Sequence, residues 1–215
     1  MRDIVDILKS VHAVLDNGHF VGTHGAHLDT YIQKDALAVH PRVASEVGRL
    51  FAEKFKDLEV EAIAAPAMGA IVLGQWTAYH LAELQGQEVL SVYADKRVGK
   101  VDGADLYFKR GYDKIIDGKK VLVIEDMVTT GRSAKKTVDA AMAVGADVVA
   151  CGVMINTKPE EVTSDYMGVP FGWLGVMDVA AYTEDRCPMC KENLPINITV
   201  GHGKEFLANK KNTNA

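Results

Sequence analysis

The sequence predicts an α/β protein, built as a twisted, mostly parallel sheet with helices on both faces. Three observations carry this expectation. Between residues 59 and 155 short apolar runs alternate with helical patterns, the order that a parallel sheet with crossover helices requires. The run Val121-Leu122-Val123-Ile124 is apolar without alternation, as in a strand buried on both sides. Gly86 and Gly145 each follow a helical pattern, where a left-handed residue closes a helix.

Taken in order, residues 2–16 read as an amphipathic helix, with Ile4, Leu8, Val11 and Leu15 at helical spacing and Asn17-Gly18 to end it. His19-Phe20-Val21 and Thr30-Tyr31-Ile32 read as short extended pieces around a turn at residues 22–25. Pro41 suits the first turn of a helix over 41–56, with Val43, Val47, Leu50 and Phe51 on one face. Strands are expected at 59–65, 88–93, 120–125 and 147–155, and helices at 70–84 and 133–144. Residues 95–118 are polar and aperiodic and read as a long loop. One domain is expected over 1–215: an N-terminal hood segment (1–40) with possible C-terminal contributions, an α/β core (41–160), a C-terminal extension (161–203) and a frayed polar tail (204–215).

Composition narrows the function. Twenty-four Lys+Arg against 29 Asp+Glu leave a net charge of −5, which argues against bulk electrostatic binding to nucleic acid. Hydrophobic residues make up 48% and charged residues 25%, enough for a core. Three cysteines cannot all pair within one chain, so a secreted disulfide scaffold is not expected. The start, Met1-Arg2-Asp3-Ile4-Val5-Asp6, is too acidic for a signal peptide. The uncharged stretch 62–82 is interrupted by Pro66, Gly69 and Gly74 and reads as strand, turn and helix. A cytoplasmic protein without a membrane span is the expectation.

The chemistry is concentrated in residues 121–133. An apolar strand ends in Glu125 and Asp126, followed by Met127-Val128-Thr129-Thr130-Gly131-Arg132-Ser133 and a helix. Open α/β sheets bind ligands at the carboxyl ends of their strands. A helix start offers free backbone N–H groups and positive potential to an anion. Thr129, Thr130 and Ser133 add hydroxyl donors, and Gly131 lets the backbone approach closely. The two carboxylates would repel a phosphate, but they accept hydrogen bonds from sugar hydroxyls. Together these features describe a ribose 5-phosphate clamp. No Gly-Lys-Ser/Thr closes the loop, and no triple-glycine spacing marks a dinucleotide site.

This segment resembles the phosphoribosyl pyrophosphate motif of type I phosphoribosyltransferases. The resemblance implies that Glu125 and Asp126 hold the ribose hydroxyls and that Thr129, Thr130, Gly131, Arg132 and Ser133 hold the 5-phosphate. Further segments are similar to the orotate-specific members, particularly a bacterial subgroup. Residues 20–34 resemble their N-terminal segment and put Lys34 near base and pyrophosphate. Ala65-Pro66-Ala67-Met68-Gly69-Ala70-Ile71 resembles the pyrophosphate loop, with Ala67, Met68 and Gly69 binding through the backbone. Tyr93-Ala94-Asp95-Lys96 and Phe108-Lys109-Arg110-Gly111-Tyr112 resemble the two ends of the mobile catalytic loop, implying that Lys96, Arg97 and Lys100 meet the leaving group. Lys96 is the expected catalytic cation, alongside Asp126.

Two departures qualify the resemblance. Where many orotate enzymes have an Arg for the base carboxylate, this chain has Lys158, a point charge without the bidentate fork. The loop also lacks the family's His. Cys187-Pro188-Met189-Cys190 is similar to a Cys-Pro-x-Cys of the subgroup. It offers two of the four ligands that zinc takes, with His202 as a third and no evident fourth. A structural turn is therefore expected, with structural zinc at Cys187 and Cys190 as the alternative. The resemblance implies phosphoribosyl pyrophosphate and a nucleobase, orotate first, as substrates. It also implies magnesium carried mainly by the substrate, and a homodimer. The alternatives are a purine phosphoribosyltransferase of the same fold and a non-catalytic sensor of phosphoribosyl pyrophosphate.

Overall fold

A computed structural model describes residues 2–22, 25–96 and 106–213. The chain divides into two compact units, Met1–Ile7 with Ala38–Met177 and Leu8–Leu37 with Asp178–Ala215. The first unit holds the α/β core. Its strands are β1 (Ala62–Pro66), β2 (Leu90–Lys96), β3 (Leu106–Tyr107), β4 (Lys120–Val128), β5 (Asp147–Asn156) and β6 (Phe171–Val176). They form a six-stranded sheet in the order β6-β5-β4-β1-β2-β3, in which only the β2–β3 pairing is antiparallel. Its helices are α1 (Pro41–Phe55), α2 (Ile71–Gln85), α3 (Tyr112–Ile116), α4 (Arg132–Ala143) and α5 (Ser164–Met167).

Both faces of the sheet are covered, as the apolar runs require. On one face Ala62, Ala64, Val121, Val123, Cys151 and Val153 pack in one cluster with Ile116 of α3 and Ala134, Val138 and Ala141 of α4. On the other face small residues let helices lie close. A Cβ on Gly74 of α2 would stand 3.2–3.3 Å from Ala65 and Ile63, and one on Gly152 of β5 would stand 2.5 Å from the Phe55 ring of α1. Leu122 and Ile124 of β4 are fully buried, each contributing about 1.5–3 kcal/mol through burial. Among the described residues no helix is long and apolar enough to cross a membrane.

Several expectations are corrected. The first helix covers only Ile4–Ser10, because His12 turns left-handed (φ 54°) and Val14–Leu15 instead pairs with Tyr31–Ile32. The 95–118 segment is not all loop: β2 runs on to Lys96 and pairs with β3, and α3 follows. The expected extension supplies an edge strand, β6, to the core sheet. The polar tail is helical over Gly203–Thr213 rather than frayed.

The second unit draws on both ends of the chain. Phe20–Val21, His27–Leu28 and Ala181–Tyr182 make a three-stranded antiparallel sheet with His27–Leu28 in the middle. The Val14–Leu15/Tyr31–Ile32 pair and the helices Asp35–Ala38, Pro188–Lys191 and Gly203–Thr213 also belong to it.

Candidate active site

The carboxyl ends of β1, β2, β4 and β5 lie along one edge of the parallel sheet, and the motif residues collect there. Glu125 and Asp126 are 5% and 2% exposed. Adjacent strand residues alternate faces, so Glu125 follows Val121 and Val123 toward α4 while Asp126 follows Leu122 and Ile124. A ligand at the strand end thus meets carboxylates from two sides. The backbone N–H of Asp126 donates to Glu125 Oε1 at 3.0 Å, which fixes the Glu125 carboxylate. Cys151 lies close to Glu125: burial first, and that carboxylate second, push its thiol far up, leaving it inert.

Beyond β4, Thr129 and Thr130 are exposed, Gly131 is buried, and α4 begins at Arg132. Gly131 takes φ 70° and is the N-cap without a side-chain cap. The first N–H groups of a 12-residue helix are therefore left to an outside acceptor. Behind the turn a Cβ on Gly131 would meet Tyr166, Val162 and Met167 at 2.8–3.2 Å. Glycine here serves both the conformation and the packing.

The 67–70 loop emerges beside the acids. Ala64 pairs with Val123, so Pro66, two residues on, is level with Glu125. The Ala67 N–H donates to the Ala94 carbonyl at 2.9 Å. The Ala67–Met68 peptide is cis. Met68 and Gly69 are exposed, and α2 follows without a side-chain cap. A second helix start thus opens next to the first.

The cations sort into different environments. Lys96 is exposed at the end of β2, and Arg97 and Lys100 lie outside the described residues. Arg110 donates to Asp95 at 2.8 Å, and Lys109 stands 3.9 Å from the same carboxylate. Each also lies over a tyrosine ring, Lys109 over Tyr107 and Arg110 over Tyr93. These two are committed to bracing the β2–β3 hairpin. Thr157 donates through both its N–H and its hydroxyl to the Val128 carbonyl, tying the end of β5 to the end of β4. Lys158, next along, is exposed and 3.7 Å from Glu161. Lys34 belongs to the second unit, between Tyr31–Ile32 and the Asp35–Ala38 helix.

Two buried carboxylates at the end of a central parallel strand, followed six residues later by a helix start without a side-chain cap, offer chemistry suited to a phosphorylated sugar. The comparisons with known proteins agree with that class. The chain matches the phosphoribosyl transferase domain family over residues 33–172. It is 32% identical over 193 residues to the orotate phosphoribosyltransferase of Caldanaerobacter subterraneus subsp. tengcongensis, covering 90% of this chain and 93% of that protein. An orotate phosphoribosyltransferase of Thermus thermophilus is 32% identical over 194 residues, covering 90% of this chain and 98% of that protein. Among solved structures, Mycobacterium tuberculosis orotate phosphoribosyltransferase shares the fold with a TM-score of 0.64 at 20% identity, covering 82% of this chain and 97% of that one. The chain belongs to the phosphoribosyltransferase family.

One cluster belongs to none of these motifs. His19, His27, Cys187 and Cys190 of the second unit bring their ligand atoms within 4.8 Å of one another. His202, the expected third companion of the cysteines, instead pairs with Glu205 at 3.1 Å and is exposed. Sequence reasoning missed the two histidines because 168 positions separate His19 from Cys187. The available signal was a pair of histidines flanking a short turn in a chain that also holds a Cys-x-x-Cys.

Proposed function

We propose that this chain is an orotate phosphoribosyltransferase, joining orotate to 5-phosphoribosyl 1-pyrophosphate to give orotidine 5′-phosphate and pyrophosphate. The observation that carries the reading is the β4 edge, where Glu125 and Asp126 lead into the uncapped start of α4. The names of relatives that match nine-tenths of the chain support orotate as the base.

In this reading the 5-phosphate sits on the backbone N–H groups and hydroxyls of residues 129–133. Charge-assisted hydrogen bonds of this kind contribute about 1.5–3 kcal/mol each. Glu125 and Asp126 accept from the two ribose hydroxyls. The pyrophosphate lies on the 67–69 backbone at the start of α2. As the C1–O bond breaks and a C1–N bond forms to the base, positive charge grows on the ribose and negative charge on the leaving group. Lys96, with Arg97 and Lys100, stabilises the latter, and family resemblance gives Lys34 a part in binding base and pyrophosphate. Lys158 offers a point charge to the base carboxylate. Much of the catalysis is then positioning.

Glu125 and Asp126 are oxygen donors, the chemistry that magnesium takes. Magnesium bound with the donor would supply positive charge against the pyrophosphate. Family resemblance supports a homodimer whose loops serve the neighbouring site; full turnover by a monomer at high dilution would count against it. The unpaired state of Cys151, Cys187 and Cys190 fits a reducing cytoplasm.

The test is pyrophosphate release from the magnesium-loaded donor, base by base, with orotate, uracil, adenine, hypoxanthine and guanine. Orotate should be strongly preferred. Preference for a purine would overturn the base assignment, and binding of the donor without turnover on any base would make the protein a sensor.

A further inference from the structure

In the second unit, polar side chains occupy positions where a small fold would ordinarily bury apolar ones. His19, His27 and Cys187 are 3%, 0% and 0% exposed. The hairpin geometry explains how the imidazoles meet. Val21 lies opposite His27 in the antiparallel register, and His19, two residues before Val21, shares its face. The two rings are therefore diagonal neighbours on one side of the sheet. From the other end of the chain, Cys187 and Cys190 flank the first turn of the Pro188–Lys191 helix, where the Cys190 N–H donates to Cys187 Sγ at 3.4 Å. That bond stabilises negative charge on the sulfur.

The hydrogen bonds select the atoms that face inward. His19 Nδ1 lies 2.7 Å from the Leu194 carbonyl. A carbonyl only accepts, so the proton is on Nδ1 and His19 Nε2 carries the lone pair. His19 Nε2 is 2.7 Å from His27 Nδ1 and 3.7 Å from both Cys187 Sγ and Cys190 Sγ. Cys190 Sγ is 3.3 Å from His27 Nδ1. His27 Nε2, on the far side of its ring, is buried without a partner among the described residues.

We infer that His19 Nε2, His27 Nδ1, Cys187 Sγ and Cys190 Sγ form a tetrahedral zinc site that ties the N-terminal hairpin to the C-terminal segment. With Zn–N near 2.0–2.1 Å and Zn–S near 2.3 Å, a tetrahedron has N–S edges of about 3.5 Å, which three of the four nitrogen–sulfur distances, 3.7, 3.7 and 3.3 Å, already match within a few tenths, all four atoms lying within 4.8 Å of one another. The nitrogen–nitrogen edge must open from 2.7 Å to about 3.3 Å, a small rotation of two rings. Two thiolates and two imidazoles are a donor set that favours zinc over harder cations. All four positions are filled by protein, so the site is structural and holds no open position for catalysis. The His19–Leu194 bond is the outer contact that orients a ligating ring. Without a metal, burial first and the adjoining Cys187 second raise the Cys190 thiol to about 11. This inference does not depend on which base the enzyme accepts.

The test uses the full-length protein, purified without chelator. Elemental analysis should find about one zinc per chain. Protein stripped under denaturing conditions and refolded should take up zinc again and melt at higher temperature with it. Refolded with cobalt(II), it should show intense tetrahedral d–d bands and a thiolate charge-transfer band. His19→Ala/His27→Ala and Cys187→Ser/Cys190→Ser should each lose the metal. Because those variants could misfold, the stripped wild type is the deciding sample. If it neither binds zinc nor shows thiolate–cobalt bands, the site does not exist. If the double-histidine variant is folded and holds zinc as tightly as wild type, the assigned ligands are wrong.

Discussion

Gly131→Ala tests the phosphate turn most directly, because one methyl group challenges two requirements at once. The residue sits at φ 70°, a conformation that costs an L-residue about 1–2 kcal/mol. The new Cβ would lie 2.9 Å from Val162 Cγ1 and 3.2 Å from Met167 Cε. Val162 and Met167 are 1% and 0% exposed and have little room to retreat. Tyr166, at 2.8 Å, is partly exposed and can move. Overpacking of this kind costs about 1–3 kcal/mol, so the total is about 2–5 kcal/mol. At about 2–4 °C per kcal/mol for a chain of this size, the melting temperature should fall by roughly 4–20 °C. Relief of the clash would push the turn away from α5, and the N–H groups of α4 would no longer converge. Affinity for ribose 5-phosphate, measured by calorimetry well below the melting temperature, should fall at least tenfold. A variant as stable as wild type and with unchanged affinity would refute the geometry assigned to this turn.

Other expectations concern the acids and the cations. Asp126→Asn should weaken binding of ribose 5-phosphate by about 10–100-fold, since a charged acceptor becomes a neutral amide; calorimetry with unchanged affinity would remove Asp126 from the sugar site. Lys96→Ala should lower kcat by about 100-fold or more with a much smaller change in donor affinity, and equal losses in both would argue against a cation that acts on the leaving group. Arg110→Gln should leave the melting temperature nearly unchanged and affect kcat far less than Lys96→Ala, as its guanidinium is held by Asp95. A kcat loss as large as that of Lys96→Ala would bring Arg110 into the reaction.

The sugar-phosphate motif was legible because every part of it is contiguous: strand, acids, turn and helix follow within residues 120–143. The alternation of strands and helices around it was legible for the same reason. Other features depend on contacts that a linear reading does not contain. Phe171–Val176 fell within the expected extension, yet it forms an edge strand in which Gly172 and Gly175 leave room for the side chains of Lys54 and Ile4. Lys109 and Arg110 read as loop cations until Asp95 is found opposite them. Cys187 and Cys190 announced half of a ligand set, while His19 and His27 looked like ordinary histidines of a short hairpin. Arg97 and Lys100 lie outside the described residues, and their part rests on resemblance.

The distance along the chain between the two halves of the His/Cys cluster also sets an order of events during synthesis. His19 precedes Cys187 by 168 positions. At ribosomal speeds of about 5–20 residues per second, the hairpin waits roughly 8–34 s before its partners have been made. All six strands of the core sheet leave the ribosome in that interval. The nascent protein can therefore assemble its α/β layer first, and the N-terminal hairpin is the last piece to be locked.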